Sequence, residues 1–188
     1  MSKQILSLLI SLLVMVWAIA ASCDSRYVEG FHPPVVVSEG DSKIVVLFLR
    51  NIFKESVKGA RVASGDIYYI QVRPLDPKLK YVWKVEGDQI SSVFFYEWKS
   101  AGRAGRSMFV LTKTEVSNRL FEGYSYSVME LPIILEGGEL SVNFFLGDHQ
   151  DAKLQNCYEG VYLDEGKVVA CPYKNAGDIK KYLALQDN

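Results

Sequence analysis

The chain has 188 residues, of which 23% are charged and 49% hydrophobic, and its formal net charge is -1. This length suits one domain with a proper core, and the composition excludes both a disordered tail and a multispanning membrane protein. The near-neutral charge gives no reason to expect nucleic-acid binding, which requires a strongly basic face.

The first 22 residues have the three zones of an export signal. Lys3 supplies a short positive start, and residues 5–21 form an uncharged apolar run. Such a run, about 17 residues long, is at the lower limit for crossing ~30 Å of hydrocarbon. Small residues then complete the pattern of a cleavable signal peptide. We therefore expect residues 1–22 to be removed during export, with an uncleaved anchor helix as the alternative.

The end of this leader, Ala20-Ala21-Ser22-Cys23, resembles a bacterial lipobox. The resemblance implies that Cys23 receives a diacylglyceryl group and anchors the domain to a membrane of the bacterial envelope, facing the periplasm. The lipobox class usually has Leu in place of Ala20, and ordinary signal peptidase would cut the same bond and leave Cys23 unmodified. If the sorting rule of enteric lipoproteins applies, Asp24 implies retention in the inner membrane.

The mature chain is organised as short apolar runs separated by Gly and Pro turns. Residues 23–32 are predicted to form a brief tether, and residues 33–188 a single β-rich domain. The runs have the period of two that is typical of strands. We expect an antiparallel β-sandwich or a partly open barrel. The predicted strands are at 35–37, 43–50, 67–72, 81–85, 91–98, 107–112, 124–131 and 140–146.

A loop between two of these strands carries three cations, Lys99, Arg103 and Arg106, together with two glycines. These cations could bind an acidic partner or an anionic group, whereas a soluble hairpin tip is the alternative. The preceding strand has aromatic side chains on both faces, so one set could lie at a partner interface. Burial of both faces, by a second sheet or a covering loop, explains the same pattern without a partner.

Residues able to support catalysis are sparse. Asp148, His149 and Asp151 lie close together in a loop and could supply metal ligands, but a polar loop without a second cluster explains them equally. Glu130 alternates with the apolar face of its strand, and we expect it to be solvated. The chain contains none of the nucleophile-elbow, phosphate-loop, dinucleotide or zinc-protease motifs. We therefore predict no catalytic residue, no metal and no cofactor, and an unrecognised hydrolase is the remaining enzymatic alternative.

Three cysteines leave one thiol unpaired in an exported protein, and lipidation of Cys23 would leave a pair, Cys157 and Cys171. These two flank a predicted hairpin with Gly166 in its turn. Folding the hairpin about Asp164 puts the two cysteines opposite each other, and a bulge at Gly166 would set them diagonally by one step. We expect a disulfide, because closing a loop of about 15 residues contributes roughly 3 kcal/mol in the chain-entropy model. Two buried free thiols are the alternative.

A helix is predicted over residues 176–186, where Ile179, Tyr182 and Leu183 have the spacing of one apolar helix face. Together with the anchor, these features favour a binding module that holds a protein partner in the envelope. Such a partner would be a toxin or enzyme that the module neutralises, or a secretion machine that it scaffolds. The alternative is a β-domain that encloses a small apolar ligand, which would require a roomy interior.

Overall fold

The computed structural model of the protein describes residues 30–51, 64–72, 77–100, 103, 105–147 and 149–187. Within these ranges the chain forms ten strands, a short 3-10 turn at Ala152–Leu154 and one helix, α1, at Ala176–Gln186. The prediction of a mainly-β fold with a short C-terminal helix is confirmed. The strands are β1 (Gly30–Glu39), β2 (Ser42–Asn51), β3 (Ser64–Gln71), β4 (Leu79–Glu86), β5 (Gln89–Trp98), β6 (Gly105–Ser117), β7 (Phe121–Glu136), β8 (Glu139–Val142), β9 (Cys157–Tyr162) and β10 (Lys167–Val169).

The strands are arranged in two antiparallel sheets. Sheet 1 has the order β1-β2-β3-β4, and sheet 2 has the order β10-β9-β7-β6-β5. The long strand β7 pairs with β6 on one side, while β9 pairs with its first half and β8 with its second half on the other. The predicted strand at 124–131 is therefore the middle of a 16-residue strand.

Apolar side chains that alternate along the strands fill the space between the two sheets. On β6 these are Met108 and Val110, and neither is exposed to solvent. The period of two therefore places the intervening residues Phe109 and Leu111 on the opposite face of sheet 2. The other fully buried members of the inter-sheet core include Val37, Ile44, Val46, Ile67, Val85, Leu131 and Leu140.

Strand β8 closes one side of the sandwich because it contacts both β2 and β3 of sheet 1. The hydroxyl of Ser42 donates a hydrogen bond to the carbonyl of Gly138 (2.5 Å), and the side-chain amide of Gln71 donates to the carbonyl of Leu140 (3.3 Å). Sheet 2 thus curls against sheet 1 at this side.

Helix α1 forms a third layer on the outer face of sheet 2. It begins after Asn175, whose side chain accepts a hydrogen bond from the backbone N–H of Asp178, a typical N-cap. Ile179 and Leu183 pack against the outer apolar cluster of sheet 2, which contains Phe94, Trp98, Phe109, Leu111, Tyr126 and Val128. Strand β5 has aromatic side chains on both faces, and these faces are covered by sheet 1 and by α1. A partner protein is therefore not needed to bury them.

The C-terminal hairpin and its disulfide are present, and of the two arrangements expected for the cysteines the structure has the diagonal one. Cys157 and Cys171 are bonded, with 5.4 Å between their Cα atoms. Tyr162 lies opposite Lys167, a register that places the cysteines diagonally, and Gly166 in the turn has φ 63°. Cys171 also packs in the outer apolar cluster, so the bond ties the hairpin to the layer that α1 covers.

Candidate functional site

An open groove of about 640 Å3 runs between β4 and the inner face of sheet 2. One wall of the groove is β4 from Tyr81 to Gly87. Its floor belongs to β6, β7 and the start of β9. The floor residues include Val110, Thr112, Thr114, Val116, Ser125, Ser127, Met129, Gln155, Asn156 and Tyr158.

The floor is the continuation of the inter-sheet core beyond the edge of sheet 1. On the inner face of β6 the sequence changes from the fully buried Val110 to Thr112 and then Thr114. Thr114 lies opposite Ser125 on β7, which in turn lies opposite Tyr158 on β9. Hydroxyl-bearing side chains therefore lie in the part of the floor beyond Val110, beside the apolar side chains of Val116 and Met129.

Gly87 marks the closed end of the groove. A Cβ atom at this position would lie 3.0 Å from the Cβ of Thr112, so β4 approaches β6 closely there. The backbone N–H of Asp88 also donates a hydrogen bond to the carbonyl of Lys113. Tyr81 of β4 and Tyr158 of β9 line the groove away from this end.

Three aromatic side chains border the groove and remain accessible: Tyr81 is 54% exposed, Trp83 38% and Tyr158 40%. Each is held by a second ring. Tyr81 packs edge-on against Tyr68, Trp83 stacks on Phe144 at 4.3 Å between ring centroids, and Tyr158 packs edge-on against Phe121. Rigid, exposed aromatic rings of this kind are typical of the centres of protein interfaces.

The floor still has hydrogen-bonding capacity to offer. The hydroxyl of Thr112 donates to the carbonyl of Ser127, and the hydroxyl of Ser127 accepts from the backbone N–H of Asn156. The hydroxyls of Thr114 and Ser125, by contrast, have no hydrogen-bond partner within the part of the chain that the structure describes. These two groups are therefore available to a ligand.

The outer edge of β4 is unpaired among the described residues, since β3 is its single partner there. The other sheet edges are less accessible. Strand β1 contains Pro33 and Pro34, which have no N–H to donate, and β10 is only three residues long. Strand β8 lies against sheet 1, and β5 contacts β1 and α1.

A second candidate lies on the outer face of sheet 2, around Glu130, which is 4% exposed. Its carboxylate accepts hydrogen bonds from the indole N–H of Trp98 and the hydroxyl of Ser107, both at 2.8 Å, and forms an ion pair with Arg103. The side-chain amide of Gln150 donates to the backbone carbonyl of Glu130 and accepts from its N–H. An adjacent cavity of about 150 Å3 is lined in part by these residues. Because every polar atom of Glu130 has a partner, the cluster is suited to holding loops in place rather than to proton transfer.

The expectation that Glu130 is solvated is therefore wrong. The alternation along β7 correctly placed it on the face opposite Leu131, but that face is covered by α1 and by the loops that follow β5 and β8. A buried carboxylate is stable only when donors surround it, and Arg103, Trp98 and Ser107 supply them.

The three cations of the β5–β6 loop do not converge on one surface. Arg103 lies over the ring of Trp98, at 4.2 Å, on the outer face of sheet 2. Arg106 lies over the ring of Phe95, at 4.3 Å, and Phe95 packs against the inter-sheet core on the other face. Lys99 is exposed, and its backbone N–H donates to the carboxylate of Asp187. One acidic ligand would therefore not meet Arg103 and Arg106 on the same face.

Four other residues were predicted as candidate site residues, namely Cys23, Asp148, His149 and Asp151. Cys23 and Asp148 lie outside the described residues. His149 stacks obliquely near Phe145, and Asp151 accepts a hydrogen bond from the hydroxyl of Tyr182. Among the described residues there is no group of three or more His, Cys, Asp or Glu side chains that could hold a metal ion. No helix within the same residues has the length and apolar character needed to cross a membrane.

The groove was not predicted from the sequence, and the predicted partner contacts lay on the cationic loop instead. Comparison of the chain with protein-family models, with curated proteins and with solved structures found no match.

Proposed function

We propose that the chain is an exported β-domain that binds a protein partner in the groove beside β4 while a lipid on Cys23 anchors it to the bacterial envelope. The observation that carries the proposal is the exposure of Tyr81, Trp83 and Tyr158 around a floor with unused hydroxyl groups. The partner is a toxin or enzyme to be neutralised, or a component of a secretion machine.

A protein segment suits the groove for two reasons. The aromatic rings offer apolar contact area at low entropic cost, because contacts with neighbouring rings already fix them. The floor offers hydroxyl and amide groups that can pair with a polypeptide backbone as well as with side chains. Few charges line the groove: Lys84 and Glu86 are paired with each other at 2.6 Å.

The alternative function, enclosure of a small apolar ligand, has less support. Such a ligand needs apolar space inside the domain. The region between the two sheets is filled by side chains such as Ile44, Val46 and Leu131, none of which is exposed. The groove, in turn, is open, and its floor mixes apolar side chains such as Val116 and Met129 with hydroxyl groups, which an apolar ligand would have to desolvate.

The proposed localisation in the bacterial envelope is supported by the leader and by the lipobox-like residues that end in Cys23. The proposed address is the periplasmic face of the inner membrane, on the basis of Asp24. Intact mass of protein recovered from the membrane fraction should show loss of residues 1–22 and addition of a diacylglyceryl group. The variant Cys23→Ser should lose both the added mass and the membrane association.

Partner binding is tested by photo-crosslinking in cells that produce the full chain. A photoreactive phenylalanine analogue replaces Tyr81 or Tyr158 in the groove, or Leu185, which is exposed on α1 far from it. We expect a discrete crosslinked protein from both groove positions and none from Leu185.

A matched pair of substitutions on β6 gives the control. Thr114→Tyr fills the groove floor and should abolish the crosslinked product, whereas Glu115→Tyr, the adjacent residue on the opposite face, should leave it unchanged. Products that form equally in both variants, or that arise equally from Leu185, would contradict the proposed function.

A further inference from the structure

The outer face of sheet 1, which points away from sheet 2, is apolar across all four strands. Strand β2 contains the unbroken apolar run 44–49, in which Ile44, Val46 and Phe48 are buried in the inter-sheet core. The period of two therefore places the intervening side chains on the outer face. The strand register sets side chains of β1, β3 and β4 beside them. The apolar members of this face are Val36, Val45, Leu47, Leu49, Tyr68, Ile70, Leu79 and Tyr81.

These side chains remain accessible to solvent. Val36 is 53% exposed and Leu79 and Tyr81 are each 54% exposed, while the members on β2 and β3 are partly exposed. None of them belongs to either hydrophobic core cluster of the described residues. An unbroken apolar run such as 44–49 is typical of a strand that is covered on both faces. An exposed apolar patch of this kind marks a binding or membrane-contact surface, so we expect another surface to cover it.

The size and the charge of the face restrict what covers it. The face spans four strands and about six residues along each, which is roughly 400 Å2, about half of the ~800 Å2 that each partner buries in a stable protein interface. A second copy of the chain would therefore gain too little area for a stable dimer. The charged side chains at the two ends of the face are two cations, Lys43 and Lys84, and two anions, Asp66 and Glu86, so the face has no net charge.

We infer that the outer face of sheet 1 lies on the bilayer that holds the lipid of Cys23. This inference rests on the lipid anchor of the proposed function. Strand β1 begins at Gly30, and the seven peptide units from Cys23 to Gly30 span at most about 25 Å. The anchor thus keeps sheet 1 close to the membrane. Because the effective concentration of the bilayer is then high, an area too small for a stable protein interface is sufficient.

The chemistry of the face suits the boundary between lipid headgroups and acyl chains. Its aliphatic side chains offer apolar area to the acyl chains, and tyrosine rings such as those of Tyr68 and Tyr81 are enriched at membrane–water interfaces. The two central strands, β2 and β3, are paired on both sides, so their backbone groups need no partner from the lipid. Tyr81 also borders the groove, so the proposed partner site would open beside the membrane.

The test uses the lipidated full chain, purified and incorporated into vesicles of phosphatidylcholine. Intact mass first establishes the lipid on Cys23. A photoreactive phenylalanine analogue then replaces Val36 or Leu79 on the face, or Leu185 on α1, which is 75% exposed but lies on the outer side of sheet 2. Mass spectrometry after irradiation measures the covalent adducts with phospholipid.

We expect about tenfold more phospholipid adduct from Val36 or Leu79 than from Leu185. With the analogue at Val36, Leu79→Glu should reduce the yield, because a carboxylate is costly to place against lipid, whereas Leu185→Glu should not change it. Vesicles that also contain phosphatidylglycerol should give a similar yield, since the face has no net charge.

The outcomes separate the inference from the proposed function. Equal adduct yields from Val36, Leu79 and Leu185 in protein that carries the lipid would overturn the inference and leave partner binding in the groove intact. Covalent dimers in place of lipid adducts would assign the face to a second copy, and a requirement for phosphatidylglycerol would assign the contact to basic side chains. Either result also overturns the inference. Protein without a lipid on Cys23 would contradict the proposed anchor itself and, with it, this inference.

Discussion

Arg103 forms an ion pair with the buried carboxylate of Glu130, and the two residues are 27 positions apart in the sequence. This contact connects the β5–β6 loop to the centre of β7. Asp187, just after α1, holds the start of the same loop by accepting the backbone N–H groups of Lys99 and Ser100. The loop that carries the cations is thus fastened at both of these points.

Arg103→Ala should lower the free energy of unfolding by about 2–3 kcal/mol, because it removes the charged partner of a carboxylate that stays buried. The control is Arg106→Ala, which removes a contact with the ring of Phe95 and should cost about 0.5–1 kcal/mol. Urea denaturation followed by tryptophan fluorescence measures both. Equal effects of the two substitutions would show that the ion pair contributes nothing beyond a surface contact.

The burial of Glu130 was not predictable from the local pattern, since alternation tells which face a residue occupies and not what covers that face. The covering layer comes from α1, about 50 residues later in the chain. A signal was nevertheless present: Ile179 and Leu183 need an apolar surface, and Phe94, Phe109 and Leu111 offer one beside Glu130.

The disulfide should stabilise the folded chain through the loop that it closes. The cysteines are 14 positions apart, and opening the bond in the double variant Cys157→Ser, Cys171→Ser should cost about 3 kcal/mol in the chain-entropy model. The measurement is thermal unfolding of the variant beside the oxidised and the reduced natural sequence. If the reduced protein unfolds at the same temperature as the oxidised one, the bond does not contribute to stability.

The hairpin and its bond were predictable because all their determinants are local, namely two apolar runs, Gly166 between them and a cysteine at each end. The groove was not predictable, since it depends on where sheet 1 ends above sheet 2. The change from Val110 to Thr112 and Thr114 along one face of β6 was the available sign of that limit.

Strands β7 and β9 approach so closely at Gly123 and Gly160 that neither position should accept a side chain. A Cβ at Gly123 would lie 2.2 Å from the carbonyl oxygen of Glu159, and one at Gly160 would lie 2.2 Å from that of Glu122. Their φ values of 155° and 154° add strain for any other residue. Gly123→Ala or Gly160→Ala should therefore destabilise by about 2 kcal/mol or more, measured by urea denaturation.

The matched control for these substitutions is Gly105→Ala. Gly105 has a similar φ of 133°, but a Cβ there would meet no atom within 4 Å. Gly105→Ala should therefore destabilise the protein less, by the cost of the backbone conformation alone. If Gly105→Ala costs as much as Gly123→Ala, the close approach of the two strands is not the cause.

Stability should decrease in alkaline solution through Tyr182. Burial raises the pKa of its hydroxyl above the ordinary value of 10.0, and the hydrogen bond to Asp151 at 2.5 Å raises it further. The folded state thus holds this proton more tightly than the unfolded state. The resulting stabilisation is complete below about pH 10 and is lost as the pH rises above that value towards the pKa of the folded state.

The check is urea denaturation of the natural sequence and of Tyr182→Phe at several pH values from about 8 to 11. The variant should lose less stability across this range, because it has no hydroxyl to ionise at that position. If the free energy of unfolding falls equally with pH in both proteins, the environment of Tyr182 does not contribute to the loss of stability at alkaline pH. The pKa values of Tyr96 and Tyr126 are also raised by burial and by a neighbouring carboxylate. Both proteins should therefore still lose some stability at alkaline pH.

Because of the prolines of β1, the two edge strands of sheet 1 differ in their capacity to pair with another strand. Pro33 and Pro34 remove two backbone donors from β1 at one end of the sheet, while β4 at the other end contains no proline. Head-to-tail stacking of many molecules would need both ends to pair, so the two missing donors of β1 oppose growth of sheet 1 into a fibre.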